Sequence, residues 1–249
     1  MLNDKVFYEK INNKNVFCVL SESDNNNKQI VIMSHGFRGS SIGPARTFVD
    51  FARLLNSNGI STLRFDQPNS GNSEGNYLDS SFNKWVDTTA YLAKKYLYLG
   101  YKVSLLGQSM GATTTVITTS RPEIKDRIKS IILWVPDPKS TFEGDPQEIS
   151  EEGGQLYKNK FWTEAKDSDF FKCLNDYNGK IHLVYGENDK YISQELRNQV
   201  IDIAKSKNQP VSILKNQDHS PWEFKLIQEV YKEELELIKS SFLNKISSP

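Results

Sequence analysis

The chain has 249 residues, a length that suits one α/β domain with a large buried core. Its 31 Lys and Arg residues balance 31 Asp and Glu residues, which gives no support for binding nucleic acid or an acidic surface. Two cysteines, Cys18 and Cys173, are too few for a disulfide framework, and no metal-ligand spacing or run of about 18 apolar residues occurs. We therefore expect a cytoplasmic protein without a membrane span, a metal or a cofactor.

Strand and helix patterns alternate along most of the chain. Strand-like runs at residues 6–11 and 15–20 flank a short polar turn and predict an antiparallel hairpin. Later apolar runs predict buried strands at residues 29–34, 60–65, 103–106, 130–135, 180–185 and 211–214. Helical spacing of apolar residues recurs at 47–56, 82–99, 193–205 and 222–243. The pattern predicts a single α/β domain over residues 1–249, with a mostly parallel central sheet and helices on both faces.

The sequence Gly-Gln-Ser-Met-Gly at residues 107–111 directly follows a predicted strand. It matches the G-x-S-x-G pattern of a nucleophile elbow, a sharp strand-to-helix turn with the serine at its apex. Gly107 and Gly111 have no Cβ to clash where the flanking turns approach, and Ser109 would stand at the positive end of the next helix. Five residues alone leave an ordinary turn with Ser109 as a helix cap as the alternative.

Residues 112–120 present a conflict between local preference and this turn. Their Thr, Val and Ile residues favour a strand, whereas an elbow requires a helix. We predict a helix, because packing fixes a buried crossover helix more strongly than propensity does.

Residues 136–168 lack clear periodicity and contain several Pro, Gly and aromatic residues. A long structureless stretch in a compact domain is usually functional, so we predict a small lid over the site. Tyr157, Phe161 and Trp162 suggest an apolar acyl or aromatic pocket beneath it. A disordered insertion is the alternative, and Phe161, Trp162, Phe170 and Phe171 argue against it.

A serine nucleophile needs a base, and the chain contains only three histidines. His219 lies in the loop after the last predicted strand, and loops at the carboxyl ends of parallel strands share one rim with the elbow. His182 lies within a strand and is interpreted as structural, whereas His35 fits a role in shaping its loop. The sequence therefore predicts His219 as the base.

The base in turn needs an acid that orients it. Asp189 follows the strand at residues 180–185 on the same rim, and Gly186 lets the chain turn there. Glu187 is its near neighbour, and Asp137 after the preceding strand is a second candidate. Asp189 is the preferred choice.

The tetrahedral intermediate that a serine nucleophile forms carries an oxyanion, which needs preset hydrogen-bond donors. The backbone N–H of Met110 follows the nucleophile and opens the helix. The loop after the first central strand reads His-Gly-Phe at residues 35–37, which makes the Phe37 N–H the natural second donor. Loss of one such donor typically costs about 3 kcal/mol of transition-state stabilisation.

Together, the elbow, the His-Gly-Phe loop, the acid and the final histidine resemble a serine α/β-hydrolase, in which the triad follows the same chain order. Residues 58–66 and 70–75 are similar to bacterial carboxylesterases of the cinnamoyl/feruloyl esterase and monoacylglycerol-lipase-like group. Such relatives usually carry Asp-x-Arg-Gly-x-Gly, whereas residues 66–71 here lack the arginine. The resemblance covers most of the chain, is weakest in the lid, and implies the α/β-hydrolase fold.

The function that the resemblance implies is hydrolysis of carboxylic esters with a short-chain or aromatic acyl group, such as a cinnamoyl or feruloyl ester. The expected partner is a small-molecule ester, and the sequence leaves open whether the chain forms a homodimer. A peptidase or amidase on the same fold is one alternative, although similar serine aminopeptidases carry a much larger helical cap. A thioesterase is another, and a non-catalytic binding homologue would be expected to have lost the serine or the histidine.

Overall fold

A computed structural model describes residues 4–23, 27–139 and 141–243 of the chain. The strands are β1 (Asp4–Ile11), β2 (Lys14–Ser21), β3 (Gln29–Ser34), β4 (Ser61–Phe65), β5 (Lys102–Gln108), β6 (Ile128–Trp134), β7 (Ile149–Glu152), β8 (Gln155–Lys158), β9 (Lys180–Gly186) and β10 (Val211–Leu214). The α-helices are α1 (Thr47–Ser57), α2 (Phe82–Tyr98), α3 (Met110–Thr119), α4 (Lys160–Lys166), α5 (Phe170–Asp176), α6 (Gln194–Ser206) and α7 (Phe224–Leu243).

Eight strands form one sheet in the order β1-β2-β4-β3-β5-β6-β9-β10. Neighbours from β4 to β10 pair in parallel, whereas β1 with β2 and β2 with β4 pair antiparallel. The predicted α/β class, the mostly parallel sheet and the N-terminal hairpin are therefore confirmed. The carboxyl ends of the parallel strands lie at one rim, where the loops that follow β3, β5, β9 and β10 meet.

Helices cover both faces of this sheet. On one face, the Trp134 ring lies 5.7 Å from that of Phe48 on α1 and 6.0 Å from that of Tyr231 on α7, centre to centre. On the other face, α2, α3, α5 and α6 pack against one another in succession. Burial of both faces explains why the central strands read as continuous apolar runs.

The turn between β5 and α3 is very tightly packed. Ser109 has φ 54° and ψ −122°, an unusual conformation for a residue with a side chain. A Cβ added to Gly107 would lie 2.2 Å from the Gly111 carbonyl oxygen, and one added to Gly111 would lie 2.0 Å from that of Ser34. Only glycine fits at either position, so the turn lies directly against the end of β3.

The threonine-rich segment after this turn is helical, as predicted. Every side chain of α3 is buried, and several hydroxyl groups donate to carbonyl oxygens nearby: Thr114 to Met110 at 2.8 Å, Thr119 to Val116 at 2.7 Å. These bonds reduce the cost of burying hydroxyl groups, and packing between β5 and α2 then outweighs strand propensity.

Residues 136–168 contain more regular structure than the sequence analysis expected. Strands β7 and β8 form a two-stranded antiparallel hairpin, followed by α4. Gly153 and Gly154 have φ of 56° and 78° and form its turn, since both central residues of such a turn need positive φ. The expectation of a segment without secondary structure is wrong, while its role as a lid stays a prediction. Ser140 within it lies outside the described residues.

The packing of the β5–α3 turn gives a test of stability. We expect Gly107→Ala to lower the free energy of unfolding by about 3 kcal/mol, because the new Cβ would overlap backbone atoms that cannot move aside. Gly154→Ala is the matched control, since its Cβ would meet nothing within 4 Å and the cost of about 1 kcal/mol comes from positive φ alone. Urea unfolding measures both, and equal losses would contradict the packing argument.

Candidate active site

Three side chains distant in sequence meet at the carboxyl rim of the sheet. The Ser109 Oγ lies 2.9 Å from Nε2 of His219, and Nδ1 of the same ring lies 2.8 Å from Oδ2 of Asp189. A carboxylate only accepts hydrogen bonds, so the proton of the neutral ring lies on Nδ1 and Nε2 accepts from the serine hydroxyl. The Asp189 side chain is fully buried, and 13% of the His219 side chain is exposed.

Asp189 is fixed by the turn that follows β9. Its Oδ1 accepts from the backbone N–H groups of Tyr191 at 2.9 Å and Ile192 at 3.2 Å, which leaves Oδ2 for the histidine. The other two acids considered from the sequence point elsewhere. Asp137 pairs with the ammonium of Lys139 at 2.8 Å, and Glu187 accepts from the Asn216 N–H at 2.9 Å.

The loop that carries His219 is held close to the end of β9. A Cβ on Gly186 would lie 2.1 Å from the Asp218 carbonyl oxygen, so this glycine permits the approach. The same carbonyl accepts from the indole N–H of Trp222 at 3.0 Å. The Asp218 carboxylate accepts from the His219 N–H at 2.8 Å, and this bond is the main reason that the pKa of Asp218 is lowered. The loop is thus anchored on both sides of the histidine.

His35 controls the orientation of the loop after β3. Its Nε2 accepts from the Gln67 N–H at 2.9 Å, so the ring proton is on Nδ1 and donates to the Gly36 carbonyl at 2.7 Å. The Gly39 N–H donates to the same carbonyl at 2.9 Å. Burial lowers the pKa of His35 and keeps the ring neutral, as this pair of bonds requires.

These bonds also fix the predicted oxyanion donor. The Gly36 carbonyl and the Phe37 N–H belong to one planar trans peptide, so the N–H points away from the His35 ring. Neither this N–H nor that of Met110 donates to an acceptor in residues 4–23, 27–139 and 141–243. Gly36 lies against the elbow, since a Cβ there would be 3.0 Å from Cβ of Ser109.

An open cleft of about 790 Å³ leads to the serine and the histidine. Its wall includes the aromatic side chains of Trp162 and Tyr191, and the Tyr191 ring lies 5.1 Å from that of His219. It also carries two ion pairs, Arg38 with Glu152 at 2.7 Å and Lys139 with Asp137 at 2.8 Å. The charges in this wall therefore pair with each other.

The apolar pocket expected from three aromatic residues needs correction. Trp162 lines the cleft, but Phe161 is fully buried and Tyr157 nearly so. Both pack on the Phe37 ring, with centroids 5.1 Å and 5.0 Å away. Phe161 and Tyr157 therefore support the loop after β3 through Phe37. The ion pairs of Arg38 and Lys139 line the cleft where aromatic rings were expected.

His182, the remaining histidine, makes contacts that suit the structural role expected for it. His182 is buried on β9, with Nε2 3.0 Å from the Ser212 Oγ and Nδ1 3.3 Å from the Glu234 carboxylate on α7. Within the described part of the chain, no group of three His, Cys, Asp or Glu side chains could hold a metal ion. None of the helices there has the length and apolar character needed to cross a bilayer.

Known hydrolases resemble this chain in sequence or in structure. The family described as "Serine aminopeptidase, S33" matches residues 25–143. Est1E from Butyrivibrio proteoclasticus, solved with ferulic acid bound, is 23% identical, with a TM-score of 0.81 over 94% of this chain and 99% of that one. A soluble variant of monoglyceride lipase from Saccharomyces cerevisiae, in complex with a substrate analogue, is 12% identical, with a TM-score of 0.79 over 98% and 97%. The search of curated proteins found no match.

The chain has the α/β-hydrolase fold. A third neighbour, the monoacylglycerol lipase of Paleococcus ferrophilus, agrees with this at 18% identity and a TM-score of 0.72 over 91% of this chain and 99% of that one. The resemblance stated from the sequence is thus confirmed. Pro68 stands where relatives were expected to carry an arginine. Asp66 holds this loop, because its carboxylate accepts from the N–H groups of Ser41 at 2.6 Å and Asn72 at 2.7 Å.

Two polar residues beside the candidate site were not predicted from the sequence. Gln108 immediately precedes the elbow serine and Ser220 immediately follows the loop histidine, and their side chains are hydrogen bonded at 3.0 Å. Adjacency to the candidate residues was the only available signal, because their contact depends on how two distant loops meet.

The neutral His35 gives a pH prediction. The unfolded chain takes up a proton at this histidine near pH 6.5, whereas the folded protein resists it, so stability should fall as pH drops below that value. Between pH 7.5 and 5.5, we expect the His35→Gln variant to lose less free energy of unfolding than the wild type, by up to about 1.4 kcal/mol per pH unit.

Urea unfolding at the two pH values measures this difference. Gly154→Ala is the control, because it lowers stability without removing a titratable group. Its free energy of unfolding should fall between the two pH values by as much as that of the wild type. A His35→Gln variant that loses as much stability as the wild type would show that this histidine is not held neutral.

Proposed function

We propose that this chain is a serine hydrolase of carboxylic esters with short-chain or aromatic acyl groups, acting through an acyl-enzyme. The observation that carries the proposal is the continuous chain of contacts from Ser109 Oγ through the His219 ring to Asp189, with distances of 2.9 Å and 2.8 Å. Nucleophile, base and orienting acid within hydrogen-bond reach are the arrangement that activates a serine hydroxyl.

In the first half-reaction, Ser109 Oγ attacks the ester carbonyl carbon while His219 Nε2 takes the hydroxyl proton. The tetrahedral intermediate collapses, the bond to the alcohol oxygen breaks, and His219 returns the proton to the leaving alkoxide. Asp189 keeps the ring in the required tautomer and stabilises the imidazolium. A water molecule then repeats these steps on the acyl-enzyme and releases the carboxylic acid.

The oxyanion of both intermediates would be stabilised by the N–H groups of Phe37 and Met110. Two observations support this assignment. The Gly36–Phe37 peptide is held by His35 and by the Gly39 N–H, so its N–H needs no reorientation during the reaction. The Met110 N–H begins α3, whose dipole also favours negative charge at that end.

The acyl group is proposed from the cleft. Trp162 and Tyr191 give it flat apolar surfaces, and about 790 Å³ suits a small ligand. The two ion pairs in the same wall offer poor contact to a long aliphatic chain, and the Lys139 ammonium of one pair lies 4.7 Å from the centre of the Trp162 ring. Ferulic acid in the related Est1E structure is an aromatic acid of suitable size.

Cleavage of peptides or amides is the second candidate, because the matching family is described as a serine aminopeptidase. An aminopeptidase needs an acidic group free to bind the substrate's ammonium. Asp137 and Glu152 line the cleft but are engaged with Lys139 and Arg38. This pairing favours the ester hydrolase.

We expect Ser109→Ala to lower kcat/KM for p-nitrophenyl acetate and butyrate by about 10⁴-fold or more, since no nucleophile remains. The wild type should also be labelled by a fluorophosphonate and the variant should not. Methyl ferulate, a thioester and proline p-nitroanilide complete the panel, and faster turnover of the anilide would favour the peptidase. Equal ester turnover by wild type and variant would exclude the proposed nucleophile.

The two acidic candidates can be separated in the same assay. Asp189→Asn should lower kcat on the order of 10⁴-fold, because the amide favours the wrong histidine tautomer. Asp137→Asn is its matched control and should cause a much smaller loss, since its carboxylate pairs with Lys139. The reverse ranking would assign the orienting role to Asp137.

A further inference from the structure

Gln108 joins the two loops that flank the proposed nucleophile. It is the last residue of β5, and its side chain is almost fully buried at the base of the cleft. Its Oε1 accepts from the Gly36 N–H at 3.1 Å, and its Nε2 donates to the Ser220 Oγ at 3.0 Å. One amide group therefore connects the residue before Phe37 to the residue after His219.

The orientation of this amide is determined by its partners. The Gly36 N–H can only donate, so Oε1 must face it and the NH₂ group must face Ser220. A Cβ added to Gly36 would lie 2.6 Å from Oε1, so the loop backbone rests directly on the amide. A side chain without an acceptor there would leave the Gly36 N–H buried and unpaired, at a cost of about 1–3 kcal/mol.

Gly36 is consequently held at both of its peptide groups. His35 and the Gly39 N–H hold its carbonyl, which belongs to the peptide that carries the Phe37 N–H. Gln108 holds its own N–H, which belongs to the preceding peptide. Rotation of the Gly36–Phe37 peptide would break the two bonds to its carbonyl, while the bond to Gln108 fixes the preceding peptide against which it would turn.

We propose that Gln108 is a positioning residue that keeps the Phe37 N–H and the His219 ring in register with Ser109. The inference rests on the proposed function, because it assigns both groups a role in ester hydrolysis. Gln108 itself acts through Gly36 and Ser220 and takes no part in bond making. A shift of about 1 Å in a catalytic group can cost 10²-fold in rate, so two hydrogen bonds of this kind should have a measurable effect.

The test is Gln108→Met, which keeps the length of the side chain and removes both hydrogen bonds. We expect kcat for p-nitrophenyl butyrate to fall by about 10- to 100-fold with little change in KM, because the transition state needs the oriented N–H more than the bound ester does. Inhibition by phenylboronic acid, whose adduct with Ser109 resembles the tetrahedral intermediate, should weaken by a similar factor. The matched control is Gln194→Met, an exposed residue at the start of α6, which should leave both values unchanged.

Ser220→Ala provides a second variant that removes only one of the two bonds and leaves Gln108 in place. It should cause a smaller fall in kcat than Gln108→Met, and the double variant should be no worse than Gln108→Met alone, because Ser220 acts through Gln108. If Gln108→Met does not fold, full activity of Ser220→Ala would count against the coupling of the two loops.

The possible failures are distinguishable. A wild-type protein that hydrolyses no ester and is not labelled by a fluorophosphonate would overturn the proposed function and, with it, this inference. An active wild type with an equally active Gln108→Met would overturn the inference alone. A folded Gln108→Met that loses thermal stability but binds phenylboronic acid as tightly as the wild type would reduce Gln108 to a structural role.

Discussion

The close contact between the β5–α3 turn and the end of β3 is the constraint on which the site depends. At Gly111 the position of a Cβ is 2.0 Å from the Ser34 carbonyl oxygen, so the helix begins against the neighbouring strand. This contact places Ser109, in its unusual backbone conformation, beside the Gly36–Phe37 peptide. Backbone packing thus brings the proposed nucleophile and the proposed oxyanion donor together, independently of the other two side chains of the proposed triad.

The hydrogen bonds around Gly36 then convert proximity into orientation. A buried imidazole and a buried glutamine amide would be costly without partners, but His35 and Gln108 have partners on both sides. Such groups are oriented before substrate arrives, and preset dipoles are what stabilise a developing oxyanion most effectively. The same two residues therefore serve the fold, by satisfying buried polar groups, and the proposed chemistry, by fixing a peptide plane.

Features that depend on the order of neighbouring residues, such as strands and helices, were predicted from the sequence. Features that depend on contacts between distant segments were not. Apolar runs revealed the sheet, and the α3 helix followed from the elbow despite its threonines. The β7–β8 hairpin was missed even though Gly153 and Gly154 form a typical hairpin turn, because its strands are short and largely polar. The sequence left Asp189 and Asp137 as alternatives, because both follow strands at the same rim, and only the distance to His219 separates them.

The polarity of the cleft could not be predicted for the same reason. Phe161 and Tyr157 are neighbours of Trp162 in sequence, yet they turn inward onto Phe37 and leave the wall to two ion pairs. A charged substrate that displaced Lys139 would leave the Asp137 carboxylate, only 8% exposed, without a counter-charge, which is costly. The Arg38–Glu152 pair is about a third exposed, so displacing one of its members costs less. The neutral ester of the proposed function makes no such demand, since its carbonyl would accept only from the proposed donors beside Ser109. Charge pairing in the wall therefore supports an uncharged acyl group for the proposed ester substrate.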